Sequence, residues 1–262
     1  MRNVSMPTMD SIARFREALE SPRGAFGPFM ITSDPAFVES AGYAGYDFVL
    51  LDMEHGPGTY ENLQNLIRAA NVSGVMPVVR VPRGSDIWID QALDVGAGAV
   101  MVPQVDTPQQ VKAAISAAKF SPLGSRGTNR FVRSAAYNAI PGSEYFRQAQ
   151  DTMVIIQAEG KGFLAHADEI FAVPGIDIVF VGPYDLSSSL GLIGQIEHPE
   201  VEKVVRQLVE KASAYGVKIG CFADTPQMAR KWRDMGIKFI GYSCDTAIFM
   251  NAAKADIAAF QE

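Results

Sequence analysis

Short apolar runs alternate with longer amphipathic segments along most of the chain. The apolar runs predict eight β-strands, at Pro28–Thr32, Asp47–Asp52, Met76–Val81, Ala99–Pro103, Met153–Glu159, Asp177–Gly182, Val217–Phe222 and Lys238–Tyr242. These runs are rich in Val, Ile and Phe and are continuously apolar, as is typical of parallel strands buried on both faces.

The segments between the apolar runs have the period of amphipathic helices. The clearest predicted helices are Tyr60–Asn71, Thr107–Lys119, His198–Tyr215, Asp224–Met235 and the terminal segment Asp245–Glu262. Three of them carry a proline in the first turn, and glycine precedes several of the following strands, which is the usual way for helices to begin and end.

Repeated strand–helix units predict a (β/α)8 TIM barrel that takes up residues 1–262 as one domain. The chain has 262 residues, and a barrel of this kind uses about 250. An open, doubly wound sheet would show the same alternation of strands and helices. Eight units within this length favour the closed barrel.

One long segment, Phe120–Gln150, has no clear hydrophobic period. Because it follows the fourth predicted strand, we expect it at the C-terminal mouth of the barrel. A loop of this length in a compact domain is usually functional or disordered. Its residues Arg130, Arg133 and Tyr137 either recognise a second substrate or fold the loop, and the sequence favours neither interpretation.

Composition excludes several other classes of protein. The chain has 23 Lys and Arg against 29 Asp and Glu, for a net charge of −6, so we expect binding to neither nucleic acid nor an anionic membrane. Its two cysteines are too few for a disulfide framework and indicate a reducing compartment. We see neither a secretory signal at the start nor an apolar stretch long enough to span a membrane, and therefore predict a cytoplasmic protein.

Candidate chemistry lies where the predicted strands end. Catalytic residues of TIM barrels lie at the C-terminal ends of the strands. There the second strand runs into Asp52-Met53-Glu54-His55, the third into Arg80, the fifth into Glu159 and the sixth into Gly182-Pro183-Tyr184-Asp185. Four apolar strands that each end in a charged residue predict an active site at this end of the barrel.

His55 is a candidate proton carrier, since it is one of three histidines and directly follows a strand. Asp52 or a nearby carboxylate would orient it. The alternatives are that Asp52 caps the next turn and that Glu54-His55 is a solvated loop.

Glu159 and Asp185 follow neighbouring strands and so form a candidate oxygen site for Mg²⁺ or Mn²⁺. The alternative is a carboxylate pair neutralised by Arg80 or Arg126. A Schiff-base mechanism needs a lysine that projects into the barrel, and the only weak candidate is Lys161. Carbonyl chemistry would therefore use a metal ion rather than an imine.

Strand-end motifs in this order resemble the HpcH/HpaI aldolase family, the metal-dependent pyruvate aldolases. The matching pieces are Gly45-Tyr46-Asp47-Phe48, Asp52-Met53-Glu54-His55-Gly56, Pro77-Val78-Val79-Arg80-Val81, Leu93-Asp94-Val95-Gly96-Ala97, Val102-Pro103-Gln104-Val105, Ser121-Pro122-Leu123-Gly124-Ser125-Arg126-Gly127, Gln157-Ala158-Glu159, Gly182-Pro183-Tyr184-Asp185-Leu186-Ser187 and His198-Pro199-Glu200-Val201. The resemblance covers residues 25 to 250 and implies a barrel of the phosphoenolpyruvate/pyruvate-domain type.

The resemblance also implies roles for individual residues. A divalent cation (Mg²⁺, Mn²⁺ or Co²⁺) would be held by Glu159 and Asp185. The 2-oxoacid would be held by Gln157 and by the backbone around Gly182 and Tyr184-Asp185. Arg80 would stabilise the enolate oxygen, His55 would transfer the proton with support from Asp52, and Asp94 would raise the basicity of that histidine.

The family is typically oligomeric, which implies a homo-oligomer, a hexamer or trimer, whose terminal helix packs on a neighbour. Asp94 lies away from its own barrel mouth in the predicted strand arrangement, so its role would operate across a subunit contact.

The family implies reversible aldol cleavage of a 4-hydroxy-2-oxoacid to pyruvate and an aldehyde through a metal-stabilised enolate. Two alternatives stay open: a citrate-synthase-like condensation of an acetyl donor with oxaloacetate, and a barrel that binds 2-oxoacids without catalysis. Phe29, Tyr184 and Thr128-Asn129-Arg130-Phe131 depart from the family pattern. These departures change the walls of the pocket and concern the choice of aldehyde.

Overall fold

A computed structural model describes residues 5–83 and 86–262 of the chain. Its core is a closed barrel of eight parallel strands in chain order, so the predicted (β/α)8 fold is confirmed. The strands are β1 (Ala25–Met30), β2 (Phe48–Asp52), β3 (Met76–Arg80), β4 (Ala99–Val102), β5 (Met153–Ala158), β6 (Ile178–Val181), β7 (Lys218–Ala223) and β8 (Phe239–Cys244). The eighth strand pairs with the first and leaves no open sheet edge.

Helices surround the barrel and also close its base. They are α1 (Met9–Glu20), α2 (Pro35–Tyr43), α3 (Tyr60–Ser73), α4 (Asp86–Asp94), α5 (Pro108–Ala118), α6 (Gly142–Gln148), α7 (Lys161–Ala165), α8 (Ala167–Phe171), α9 (Pro183–Ser189), α10 (Pro199–Ala214), α11 (Pro226–Asp234) and α12 (Asp245–Gln261). Within the described residues, none of these helices combines the length and the apolar character that a membrane crossing requires.

Side chains alternate between the inside and the outside of the barrel along each strand, with the period of two that β geometry imposes. The inward positions form one apolar cluster that includes Phe48, Leu50, Val78, Ile155 and Phe180. Outward positions such as Val49, Val79 and Val179 pack against the helices in a second cluster. Both faces of every strand are therefore buried, which explains the continuously apolar runs in the sequence.

Helix α1, which the hydrophobic pattern did not predict, closes the base of the barrel. Its buried residues Ile12, Phe15 and Leu19 belong to the cluster that fills the barrel interior. The ring of Phe15 meets Phe48 and Phe239 edge-on, with centroid distances of 5.7 and 5.8 Å. The side chains of α1 thus fill the end of the barrel where the strands begin.

The first strand begins three residues earlier than predicted, at Ala25. Gly27 and Pro28 look like strand breakers in the sequence. In the barrel, Gly27 is required because a β-carbon at this position would lie 2.0 Å from the carbonyl oxygen of Phe48. A close approach between neighbouring backbones, rather than a turn, explains this glycine.

The predicted position of Phe120–Gln150 at the mouth is wrong. Helix α5 comes between β4 and this segment, so the chain has already returned to the base of the barrel. There the Lys119 ammonium group donates to the backbone oxygens of Gln150 and Thr152, and Gln148 accepts from the backbone N–H of Met6 at 2.9 Å. The segment also contains α6 and two short 3₁₀ turns.

Arg133 in this segment has a folding role. Its guanidinium donates to the backbone oxygen of Val95 at 3.0 Å and to the side chain of Asn71 at 2.7 Å. Both partners lie at the ends of helices at the base of the barrel.

Candidate active site

Inward-facing positions of three strands, β2, β3 and β5, end in polar residues at the mouth of the barrel. The inward series Phe48 and Leu50 continues to Asp52 in β2, and the inward series of β3 ends at Arg80. In β5 the inward series continues through Gln157 to Glu159. All four polar residues are buried, which places them within the mouth rather than on its solvated rim.

Glu159 and Asp185 face each other across Gly182. A β-carbon on Gly182 would lie 3.4 Å from Glu159 Oε1 and 3.6 Å from Asp185 Oδ2. These are ordinary van der Waals distances, so both carboxylates approach the same point beside Gly182. The structure thus brings together the two residues predicted to hold a metal ion.

The Glu159 carboxyl group has a pKa raised to about 7, first by burial and then by the negative charges of Asp185 and Glu54. Arg80 and Arg83 lower this pKa without compensating for the burial. A buried carboxylate beside two others is an unfavourable arrangement unless a cation is bound.

Gln157 presents a buried oxygen that needs a donor. Its Nε2 contacts Glu159 Oε1, while its Oε1 is buried and has no hydrogen-bond partner in the part of the chain that the structure describes. Buried polar atoms in folded proteins are nearly always satisfied. A ligand or water at this position would complete the site.

The donor set fits a hard divalent cation that is held by few protein ligands. Among residues 5–83 and 86–262, no group of three or more His, Cys, Asp or Glu side chains is arranged to hold a metal ion. Mg²⁺ commonly uses one or two carboxylates and completes its shell with water and substrate oxygens. The pair across Gly182 and the unsatisfied oxygen of Gln157 suit that type of site.

Arg80 is held rigidly beside the carboxylate pair. Its Nε and Nη2 donate to the two oxygens of Asp52 at 2.9 and 2.6 Å, and Nη1 lies 3.3 Å from Glu54 Oε2. The guanidinium also lies over the ring of Phe29, 5.2 Å from its centroid. Since guanidinium carries five N–H donors, these contacts leave two donors for a ligand.

Glu54 belongs to the buried charged cluster of the mouth, although its place after the end of β2 is also compatible with a solvated loop. Its side chain is only 5% exposed and bridges Arg80, Arg83 and His55. The Arg83 Nε–Glu54 Oε1 distance is 2.6 Å, whereas the Arg83 side chain is 53% exposed. No periodic signal marks Glu54, because it follows the end of its strand.

His55 lies at the rim, with 63% of its side chain exposed. Its Nε2 is 3.9 Å from Glu54 Oε2, while Asp52 accepts from its backbone N–H at 3.3 Å. The carboxylate nearest to the imidazole is therefore that of Glu54, and Asp52 is occupied by Arg80.

Asp94 lies at the end of α4, and the structure does not bring it to His55 within one chain. Its Oδ1 accepts from Arg126 Nη2 at 2.7 Å. Burial raises the pKa of the Asp94 carboxyl group, and Arg126 opposes that rise. Arg126 thus pairs with α4 and not with the carboxylates of the mouth.

Tyr184 adds a polar group next to Asp185 at the mouth of the barrel. It is the second residue of α9 and precedes Asp185. Its hydroxyl donates to Asp224 Oδ2 at 2.7 Å, and this hydrogen bond, followed by burial, raises the pKa of the phenol to about 12. The sequence predicts Tyr184 as a site residue but not its contact with Asp224.

A closed (β/α)8 barrel with buried acidic and basic side chains at the C-terminal ends of its strands is an enzyme architecture. Comparison with protein families identifies the class of enzyme. The model described as HpcH/HpaI aldolase/citrate lyase matches residues 25–252. The chain belongs to this family, which confirms the resemblance seen in its strand-end motifs.

Named relatives are aldolases. The chain is 34% identical to the 2-dehydro-3,6-dideoxy-6-sulfogluconate aldolase of Pseudomonas putida, over 93% of this chain and 95% of the relative. It is also 34% identical to the 2-keto-3-deoxy-L-rhamnonate aldolase of Salmonella gallinarum, over 94% of this chain and 92% of the relative. The chain is accordingly an enzyme of the aldolase and lyase class.

Solved structures show the same fold. An HpcH/HpaI aldolase/citrate lyase family protein from Burkholderia cenocepacia superposes with a TM-score of 0.89 at 30% identity, covering 95% of this chain and 99% of that one. The citrate synthase SbnG superposes with a TM-score of 0.84 at 27% identity, covering 97% and 98%.

Proposed function

We propose that this enzyme catalyses reversible aldol cleavage of a 4-hydroxy-2-oxoacid to pyruvate and an aldehyde, with a divalent cation held by Glu159 and Asp185. The observation that carries the proposal is the carboxylate pair facing across Gly182 beside the unsatisfied oxygen of Gln157. The aldolase names of the relatives agree with it.

Each part of the mouth has a task in this reaction. When bound by Glu159 and Asp185, a divalent cation would supply Lewis acidity to the substrate carbonyl. Gln157, together with the backbone at Gly182 and Tyr184, holds the 2-oxoacid. Arg80 offers its two remaining N–H donors to the oxygen on which negative charge develops when the carbon–carbon bond breaks.

His55 would take the proton from the 4-hydroxyl group during cleavage and return it during synthesis. Its exposure at the rim suits exchange of that proton with water. Within one chain, Glu54 is the carboxylate nearest to the imidazole. Asp94 would act on His55 only from a neighbouring subunit.

Coupled assays test this function directly. The purified enzyme with Mn²⁺ is expected to release pyruvate from a 4-hydroxy-2-oxoacid, followed through a pyruvate-consuming dehydrogenase. Activity that persists in EDTA would refute the role of the metal. Release of free thiol from an acetyl thioester and oxaloacetate, without aldol turnover, would replace the proposal with the condensation that the similarity to a citrate synthase suggests. Pyruvate binding without turnover of any aldehyde would indicate a non-catalytic barrel.

Metal affinity is expected to rise with pH up to about 7 and then to level off. Below its pKa of about 7, Glu159 is protonated, so each unit of decreasing pH weakens Mn²⁺ binding by about tenfold. The same raised pKa makes the free energy of unfolding of the metal-free protein depend on pH. This free energy is highest at low pH, where Glu159 is protonated, and it falls as the pH rises through about 7. Calorimetric titration with Mn²⁺ at several pH values measures the first effect, and affinity that does not change with pH would contradict it.

The terminal helix supports a homo-oligomer. Asp245 is the only residue of α12 buried within the chain, and Phe249, Met250, Ile257 and Phe260 are exposed on it. The Asp245 carboxylate anchors the start of the helix by accepting from the backbone N–H groups of Ile31 and Thr32. A helix held at one end with apolar side chains in solvent fits against a second copy of the chain.

Charged residues on α12 are expected to dissociate the oligomer. Light scattering after gel filtration should show a mass several times 28.4 kDa for the wild type and a single chain for the double variant Ile257→Glu, Phe260→Glu. The matched control is Ile193→Glu, since Ile193 is 79% exposed and lies outside α12. A wild-type protein that elutes as a monomer would contradict the oligomer.

A further inference from the structure

A row of aromatic side chains runs from Arg80 across the mouth of the barrel to one carboxylate. Phe29 carries the Arg80 guanidinium on its ring and meets Phe222 at a centroid distance of 5.5 Å. Phe222 in turn lies 6.3 Å from the ring of Tyr184, whose hydroxyl donates to Asp224 at 2.7 Å. The row thus leads from Arg80 across the mouth to a polar pair, Tyr184–Asp224, that the aldol steps above do not use.

The polar pair lies at the catalytic end of the barrel, next to the carboxylate site. Tyr184 precedes Asp185 in the first turn of α9, and Asp224 directly follows β7. In the closed barrel, β7 is four strands from β3, which carries Arg80. If the 2-oxoacid part of the substrate lies between Gly182 and Arg80, the part derived from the aldehyde would therefore extend past Tyr184 and Asp224 or towards the rim.

The pair offers hydrogen-bond acceptors rather than donors. The hydroxyl hydrogen of Tyr184 is used by Asp224, which leaves the lone pairs of the phenolic oxygen available. Asp224 Oδ1 accepts no hydrogen bond, and Asp224 has no ion pair with Lys, Arg or His, among the residues that the structure describes. Tyr184 is 46% exposed, so ligands can reach these oxygens.

The charge of the mouth disfavours an acidic second substrate. Asp52, Glu54, Glu159, Asp185 and Asp224 contribute five carboxylates, and Arg80 and Arg83 are the cations near them. Even a divalent cation leaves this cluster with net negative charge, and the 2-oxoacid adds a further carboxylate. An anionic aldehyde would meet repulsion beside Asp224.

We propose that Tyr184 and Asp224 recognise the acceptor aldehyde and select uncharged aldehydes that carry a hydroxyl group. A hydroxyl of such an aldehyde donates to Asp224 Oδ1, and Tyr184 holds that carboxylate in place through its own hydroxyl. The row from Phe29 to Tyr184 packs against the carbon chain of the aldehyde. This inference rests on the proposed aldol function and names the substrate class of the same site. In the alternative, structural role, the pair only ties α9 to the end of β7.

Selectivity distinguishes recognition from a structural role, because a loosened α9 would slow all acceptors alike. The experiment measures kcat/KM for aldol addition of pyruvate, with Mn²⁺, to propanal, to 2-hydroxypropanal and to the acidic aldehyde 4-oxobutanoate. The wild type should prefer 2-hydroxypropanal to propanal by about tenfold, the usual effect of one net hydrogen bond, and should use 4-oxobutanoate least.

Two conservative variants test the pair. Tyr184→Phe and Asp224→Asn should each reduce the preference for 2-hydroxypropanal over propanal by about tenfold, and Asp224→Asn should also raise the relative use of 4-oxobutanoate. The matched control is Tyr215→Phe, because Tyr215 is also 46% exposed but lies at the end of α10, and it should keep the wild-type ratio.

Three results would overturn the proposed role of Tyr184 and Asp224. A preference that survives both variants, or a wild type that does not distinguish the hydroxylated aldehyde, would overturn the assignment. Preferential use of 4-oxobutanoate would also overturn it and would point to the exposed Arg83 as the recognition group. Deuterium exchange into the methyl group of pyruvate separates this failure from failure of the aldol function, because exchange needs no aldehyde and reports enolate formation alone.

Discussion

Replacing Glu159 by glutamine is expected to weaken Mn²⁺ binding by at least about 100-fold and to lower aldol turnover by about 1,000-fold or more. Glutamine keeps the size of the side chain but removes the charge that faces Asp185 across Gly182. The remaining carboxylate would hold the cation through one protein ligand. Metal titration and the pyruvate-release assay measure the two effects.

Without metal, the same variant is expected to be more stable than the wild type at pH 8. Burial and the charges of Asp185 and Glu54 raise the pKa of Glu159, so its ionised form is unfavourable in the metal-free fold. The uncharged amide removes that cost, whereas most substitutions destabilise a protein. Thermal unfolding in EDTA measures this difference.

The control for both effects is Glu169→Gln, which changes a glutamate of α8 with 69% of its side chain exposed. It should alter neither metal binding nor unfolding. Unchanged Mn²⁺ affinity in Glu159→Gln would remove Glu159 as a ligand and would refute the metal site.

Replacing Arg80 by lysine is expected to reduce kcat by about 100- to 1,000-fold while metal binding is retained. Lysine keeps the positive charge but cannot hold both oxygens of Asp52 and still offer two donors to a substrate oxygen. The substitution should lower kcat rather than raise KM, because the negative charge that Arg80 stabilises develops only during bond cleavage.

Lysine is preferred to alanine here, because alanine would leave Asp52 and Glu54 buried without a cation. Circular dichroism and thermal unfolding would establish that the fold is intact. Arg147→Lys, which changes an exposed arginine paired with Glu144, serves as the control. A wild-type rate in Arg80→Lys would exclude the role of the guanidinium in charge stabilisation.

The predicted strands match the structure where the local apolar pattern and the tertiary environment agree. Strands β2, β3 and β5 are buried on both faces, so their apolar runs were visible and ended within one residue of the observed strands. The early start of β1 was missed because Gly27 is explained only by its contact with Phe48. Helix α1 was missed because its apolar face packs on the base of a barrel formed by residues far along the chain.

Placement of Phe120–Gln150 failed for a topological reason. The segment was assigned from the strand before it, although a helix lies between them, and each helix of a (β/α)8 barrel returns the chain to the base. Long range contacts such as Met6 with Gln148 then hold the segment there. Its arginines were therefore considered for the wrong end of the molecule.

For the site, the residues themselves were predictable but their contacts were not. The strand-end motifs and the family resemblance named Asp52, His55, Arg80, Glu159 and Asp185, but the sequence contains no distances between them. It did not show that Asp52 is occupied by Arg80 or that Tyr184 meets Asp224. Partners separated by tens of residues are set by strand register and barrel closure.

The amino-acid sequence alone determined the alternation of strands and helices, the family, and the charged residues that end the inward-facing strands, because each of these is a local property of the chain. Only the tertiary structure decided which of those charges meet. Closure of the barrel brings carboxylates from three different strand ends into one buried mouth, where burial, and then the charges of Asp185 and Glu54, raise the pKa of Glu159. Burial and the distances between charges are properties of the folded chain, which no stretch of sequence contains.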